Sequence, residues 1–235
     1  MSGATRGLWR IALGRLLRLR SQRWALYALA ALVAGAVLVP LASPHGYATP
    51  EWTRILRAPS FSAPFGTDGL GRDLLVRSMW GCRVSLLVGL VASVLSVIIG
   101  VTWGATAGLL SGRWDSLMMR IVDVLYSVPF IPLVIVLTVV FGRHFLLVFA
   151  AIGAVSWLDI ARIVRGQALA IGQREYIEAA RALGLPAHRM LWRHYVPNLA
   201  GIVVVYATLT VPSVILFEAL LSFLGLGVQA PLASL

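Results

Sequence analysis

The sequence predicts an all-α protein built as a multi-pass bundle of transmembrane helices. Of its 235 residues, 59% are hydrophobic and only 12% are charged, and the mean hydropathy of +0.87 is far above that of a soluble domain. Several runs of 19 or more residues contain no charged side chain. A helix of that length crosses the roughly 30 Å hydrocarbon core of a bilayer.

Four charge-free runs and one shorter run give five predicted spans. The shorter run, 145–158, holds 14 residues and becomes a span only if its helix continues through Asp159 to Arg162. Pro129 and Pro132 are expected to kink the third span. The five predicted spans are 24–42, 84–110, 120–142, 145–164 and 197–221.

The basic residues predict how the chain is oriented. All 20 are arginine, and the formal charge is +11. In a soluble protein this balance would suggest a nucleic-acid partner, but here the arginines flank apolar spans, so we expect none. Fourteen of them fall on one side, which predicts a cytoplasmic N-terminus and a cytoplasmic 165–196 segment. Residues 1–23 are predicted as a basic amphipathic segment that contacts membrane lipid at the cytoplasmic surface.

Residues 43–82 are predicted to form the external loop, and residues 83–235 the main transmembrane domain. The loop is rich in proline and glycine, which favour turns. Two interpretations of its charged residues Asp68, Arg72 and Asp73 remain equally open. They contact a binding protein or a substrate, or they hold the loop together through their own ion pairs.

A polar stretch between the fourth and fifth predicted spans is expected to form a helical hairpin. Residues 174–183 are good helix formers, and Gly184 follows where a left-handed helix cap is expected. Pro186 suits the first turn of a second helix. Pro197 then marks the entry to the last span. Small Ala179 and Ala180 side chains allow close approach of a partner. The alternative is a solvated, inert loop helix.

The hairpin resembles a known motif. Glu178-Ala179-Ala180, Gly184 at its fixed spacing and the closing Pro197 are similar to the EAA loop of ABC importer permeases. The resemblance implies that these five residues couple the permease to an ATPase subunit. Residues 193–198 resemble the dipeptide, oligopeptide and nickel branch of that family, although Tyr195 and Val196 depart from its usual pattern.

Three further stretches, 65–73, 119–125 and 221–229, resemble the same branch and its C-type permease subunit. The resemblance implies the type I ABC importer permease fold in a bacterial inner membrane. Its implied partners are a second permease subunit, two ATP-binding subunits and an extracytoplasmic solute-binding protein. ATP is expected on those partners and no cofactor on this chain. The family has a sixth span beyond the five visible here, so we expect the functional protein to be longer than 235 residues.

The implied cargo is a peptide, a nickel complex or a related small solute. An ATP-independent secondary transporter would need charged midplane sites or inverted repeats, and the sequence shows neither. A membrane-embedded enzyme would need clustered ionisable residues. No nucleophile stands beside a base at recognisable spacing, and no phosphate-binding loop with lysine is present, so no catalytic residue is predicted.

Three carboxylates fall at or near predicted spans, where an unpaired charge is costly. They line a transport pathway, or they pair with nearby arginines. We expect pairing of Asp123 with Arg120 and of Asp159 with Arg162. Glu218 has no arginine nearby in the sequence. It is a candidate pathway residue, or it reaches a second permease subunit.

Overall fold

The all-α prediction is confirmed in a computed structural model that describes residues 19–44, 46–141 and 145–226. Within these ranges the chain is helical, apart from loops, a short 3₁₀ turn and two isolated bridges. Most of the predicted amphipathic segment 1–23 lies outside the described residues. The helices are α1 Arg20–Ala42, α2 Leu74–Leu110, α3 Gly112–Ser127, α4 Phe130–Phe141, α5 Phe145–Gly172, α6 Glu175–Ala182, α7 Ala187–Met190 and α8 Val196–Phe223.

The chain divides into two units at Arg83, and the first holds α1 and the external loop. Helix α1 exposes nearly all of its apolar side chains, as a lipid-facing helix does. Its Ala36 is buried. Tyr47 stacks on Trp80, with the ring centroids 4.1 Å apart. Helix α2 begins at Leu74, well before the predicted span at 84, because Asp73 caps its first turn.

In the part of the chain that the structure describes, three helical segments are long and apolar enough to cross a membrane: Arg20–Ala42, Leu74–Leu110 and Ala187–Phe223. They correspond to the first, second and fifth predicted spans. Helices α3 and α4 add a fourth if they are counted as one span bent by 74°. The bend falls at Pro129, where the kink was expected, because proline removes a helical hydrogen bond. The predicted span 145–164 lies within α5, and the side chains of 145–151 are outside the described set.

Glycines on one face of α2 allow this helix to pack closely against α5 in the core of the second unit. Gly100, Gly104 and Gly108 recur every four residues, so they lie on one stripe of the helix. A Cβ atom at Gly100 would lie only 2.7 Å from Ile160 Cβ on α5. Small residues let helix backbones approach closely in a membrane, where packing replaces burial from water. The backbones of α2 and α5 therefore lie in close contact along this stripe.

Ion pairs join α3 to α5, and aromatic and hydrogen-bond contacts join α2 to both of them. Asp115, in the first turn of α3, is buried and accepts two hydrogen bonds from Arg165, at 2.6 and 2.7 Å. Trp103 of α2 meets Trp157 of α5 edge to face, at 5.5 Å, and its ring N–H donates to the Met118 carbonyl. These contacts close the core between α2, α3 and α5.

Candidate functional site

The predicted helix–glycine–helix hairpin is present between α5 and α8. Helix α6 ends at Ala182, and Gly184 has φ +73°, in the left-handed region. The Leu185 N–H donates to the Ala180 carbonyl, and the Gly184 N–H to the Arg181 carbonyl. This pair of bonds satisfies carbonyls that the helix end would otherwise leave free. Helix α7 then starts after Pro186. The sequence therefore predicted this turn correctly.

Buried side chains fix the base of the hairpin. Ile177 on α6, Met190 on α7 and Tyr195 belong to one apolar cluster that includes Ile171 of α5 and Leu199 of α8. The chain from Leu191 to Tyr195 forms a single π-helical turn, which leads into α8.

Tyr195 is fully buried, and its hydroxyl accepts a hydrogen bond from Arg181 Nη2 at 3.3 Å. Sequence reasoning treated Tyr195 only as a departure from a motif, yet it anchors the hairpin.

The outer face of the hairpin is exposed. Glu178, Ala179 and Gly184 are exposed, and Ala180 is partly so. Two large apolar side chains accompany them: Leu183 is 86% exposed and Trp192 58%. The fifth predicted coupling residue, Pro197, is exposed in the first turn of α8. A rigid base that carries exposed apolar side chains is suited to contact with another protein.

The external-loop residue Asp68 forms its hydrogen bonds and ion pairs within the loop and the start of the following helix. Asp68 Oδ1 accepts the backbone N–H groups of Leu70 and Arg72, each at 2.9 Å. Asp68 Oδ2 accepts from Arg72 Nε at 2.8 Å and lies 3.7 Å from Arg77 Nε. Burial alone would raise the pKa of Asp68, but the hydrogen bonds from Arg72 and Leu70 outweigh it and hold that pKa below its ordinary 3.8.

The third loop residue, Asp73, caps a helix. Asp73 Oδ1 accepts the N–H groups of Leu75 and Val76 at the start of α2. Together with the Asp68–Arg72 ion pair, this geometry favours a loop held by its own charges over one that presents them to a partner.

The expected ion pairs of two carboxylates were wrong. Asp123 pairs with Arg162, at 2.8 Å, and not with Arg120. Arg162 also lies over the ring of Tyr126, 4.4 Å from its centroid. Asp159 therefore loses the partner expected for it, and within the described ranges it has no ion pair within 4 Å. A partner 39 residues away, brought close by helix packing, displaced the neighbour three residues away.

Glu218 lies inside the bundle and not at its surface. It is fully buried and accepts hydrogen bonds from Ser85 on α2, at 2.9 Å, and from Ser222 on α8, at 3.0 Å. Its carboxylate is therefore satisfied by donors of this chain, and the prediction that it reaches a second permease subunit stays a prediction. Glu218 is also absent from the lining of the cavity described next. Buried carboxylates are held by donors in this way because an unsatisfied one is costly.

A cavity of about 520 Å³ opens between α3, α4, α5 and α8. Asp159 is exposed, and among the described residues that line the cavity it alone carries a charge. The remaining lining is apolar, aromatic and hydroxyl-bearing. It consists of Tyr126, Val128, Pro129, Phe130, Ile152, Val155, Ser156, Ile160, Ile163, Tyr206, Leu209, Thr210, Ser213 and Phe217. A mostly apolar cavity of this size with a few polar groups is typical of a small-molecule site.

Long apolar helices, an exposed hairpin on a buried base and a mostly apolar cavity between helices are features expected of a membrane transport subunit. Residues 100–235 match the family of binding-protein-dependent transport system inner membrane components. The chain belongs to that family.

Several relatives support this assignment. The chain is 44% identical to the oligopeptide transport system permease protein OppC of Haemophilus influenzae, over 97% of this chain and 74% of the relative. It is 47% identical to OppC of Escherichia coli K12, over 97% and 76%. It is 43% identical to the dipeptide transport system permease protein DppC of Bacillus subtilis, over 89% and 65%.

Proposed function

We propose that this chain is a permease subunit of an ATP-driven importer that moves peptides across a bacterial inner membrane. The exposed hairpin on its buried base carries this proposal, because such a surface is suited to receive force from a partner. The relatives are named for oligopeptide and dipeptide transport, which supports peptides over nickel complexes as cargo. The subunit itself is not an enzyme, and it takes no cofactor.

The proposed assembly has four kinds of component. A second permease subunit completes the pathway, two ATP-binding subunits hydrolyse ATP, and an extracytoplasmic solute-binding protein delivers cargo. The N-terminus and the hairpin face the cytoplasm, as the arginine distribution predicts. The loop at 43–73 then faces the binding protein.

Transport proceeds by alternating access between two states. Closure of the ATP-binding subunits pushes the exposed residues Glu178, Ala179, Ala180 and Gly184 of the hairpin. Because Ile177 and Tyr195 are buried against α5 and α8, the push moves those helices rather than bending the hairpin. The cavity between α5 and α8 then changes its access from one side of the membrane to the other.

The test uses two substitutions at Gly184. A Cβ at this position meets no atom within 4 Å, so only the positive φ opposes a side chain. Gly184→Val is strained by about 1–2 kcal/mol, whereas asparagine tolerates the left-handed region. We expect Gly184→Val to insert normally but to lose co-purification of the ATP-binding subunit and peptide uptake, and Gly184→Asn to retain both. Equal behaviour of the two variants would contradict a coupling role for this turn.

A further inference from the structure

The three aspartates around α5 differ in what neutralises them. Asp115 is held by two hydrogen bonds from Arg165, and Asp123 is paired with Arg162. Asp159 is exposed to the cavity and has no ion pair within the described ranges. A carboxylate in a membrane bundle is costly unless it is paired or hydrated, so a lone one in a cavity marks a functional position.

The hydroxyl groups around Asp159 are arranged to accept hydrogen bonds. Ser156 donates its proton to the Ile152 carbonyl one turn back, at 2.8 Å, and Thr210 donates to Tyr206 at 2.7 Å. Ser213 on α8 does the same within its own helix. Because each hydroxyl proton is already used, the oxygen offers only lone pairs to the cavity. These three hydroxyls therefore supply acceptors, and Asp159 supplies negative charge.

Aromatic rings complete the wall of this site. Phe130 and Phe217 meet edge to face, with centroids 5.3 Å apart, and Tyr126 and Tyr206 line the same cavity. The faces of such rings attract cations. A carboxylate, several acceptor oxygens and aromatic faces together fit a group with positive charge and several N–H donors. A primary ammonium group has three such donors.

We infer that Asp159 binds the ammonium group of the cargo during its passage through the permease. This inference rests on the proposed function and names the contact within it. The α-ammonium group is the best fit among ammonium sources, because every unmodified peptide carries it whatever its side chains. One carboxylate in an otherwise side-chain-tolerant apolar cavity then orients peptides without selecting their sequence.

The test compares peptides that differ only in that charge. The complete transporter is reconstituted in vesicles with its binding protein, and uptake of trialanine and of N-acetyl-trialanine is measured below saturation. Asp159→Asn keeps the shape and removes the charge, and Asp159→Glu restores the charge. Because a hydrogen bond to a charged group is stronger than one to a neutral group, we expect Asp159→Asn to slow trialanine uptake about 10- to 100-fold. Uptake of the acetylated peptide should stay unchanged, and Asp159→Glu should recover most of the trialanine rate.

The binding protein is the same in every variant, so its own preference cancels in the ratio of variant to wild type. Saturation-transfer NMR of both peptides on the complex without binding protein gives the comparison directly. A third probe, N-acetyl-Ala-Lys-Ala, separates the two ammonium sources: sensitivity to Asp159→Asn extends the site to lysine side chains, and insensitivity restricts it to the α-ammonium.

Equal slowing of both alanine peptides by Asp159→Asn would overturn the inference, since it would show a structural role or an ion pair with the second permease subunit. No slowing of either peptide would overturn it as well. If the wild-type transporter took up neither peptide, the proposed function itself would fail, which is a separate outcome.

Discussion

Gly104 gives the sharpest test of the close contact between α2 and α5. A Cβ atom added there would overlap the Ala161 carbonyl oxygen and lie 3.0 Å from both Arg165 N and Val164 Cβ. Carbon atoms in contact normally lie 3.5–4.0 Å apart, so the two helices would have to separate by about 0.5–1 Å. Two of the obstructing atoms are backbone atoms of α5, which cannot rotate away.

The magnitude follows from two opposing terms. Overpacking a well-packed contact costs about 1–3 kcal/mol, and backbone obstruction puts Gly104→Ala at the upper end of that range. Alanine recovers about 1 kcal/mol of helix propensity over glycine. The net loss is therefore about 2 kcal/mol. The matched control is Gly166→Ala on α5, where a Cβ meets nothing within 4 Å. It carries the same propensity gain without the clash and should be neutral or stabilising.

The assay is thermal unfolding of the detergent-solubilised transporter, followed by tryptophan fluorescence. Trp103 and Trp157 report on this contact, because they meet edge to face between α2 and α5. A loss of about 2 kcal/mol lowers the midpoint by about 4–8 °C for a chain of this size. If Gly104→Ala and Gly166→Ala shifted the midpoint equally, the close contact between the backbones of α2 and α5 would be refuted.

Two further predictions concern the loop and the orientation. Protonation of Asp68 should loosen the external loop: its pKa lies below 3.8 in the folded loop, so its stabilising contribution is complete above that value and is lost as the pH falls through the folded pKa. Asp68→Asn should accordingly speed amide hydrogen exchange at Leu70 and Arg72 at neutral pH, and unchanged exchange would contradict the role of the charge. A cysteine introduced by Ala187→Cys, in a Cys82→Ser background, should react with an impermeant thiol reagent only from the cytoplasmic side, and labelling of intact cells from outside would reverse the orientation.

The candidate site could be predicted in part: features set by local backbone geometry were predictable, and pairings set by helix packing were not. Gly184 was found because a helix end needs a left-handed residue to satisfy its carbonyls, and that requirement is local. Asp159 was recognised as a candidate, but the pairing expected for it with Arg162 was wrong. The sequence offers Arg162 three residues away, whereas the fold gives that arginine to Asp123. Nothing in the neighbouring sequence indicates which of two carboxylates within reach an arginine will pair with.

The sequence by itself determined the helical class, the first, second and fifth apolar spans, the bend at Pro129 and the hairpin turn. Each of these depends on chain-local physics: length against bilayer thickness, proline geometry and helix capping. Only the tertiary structure decided which helix faces which.

Three pairings illustrate this: Asp115 meets Arg165 across 50 residues, Glu218 meets Ser85 across 133, and the glycine stripe of α2 lies against α5. In lipid, helices associate through close packing and hydrogen bonds between particular side chains, and not through burial from water. Hydropathy therefore predicts that helices span the membrane, and contacts between residues distant in sequence decide how they pair.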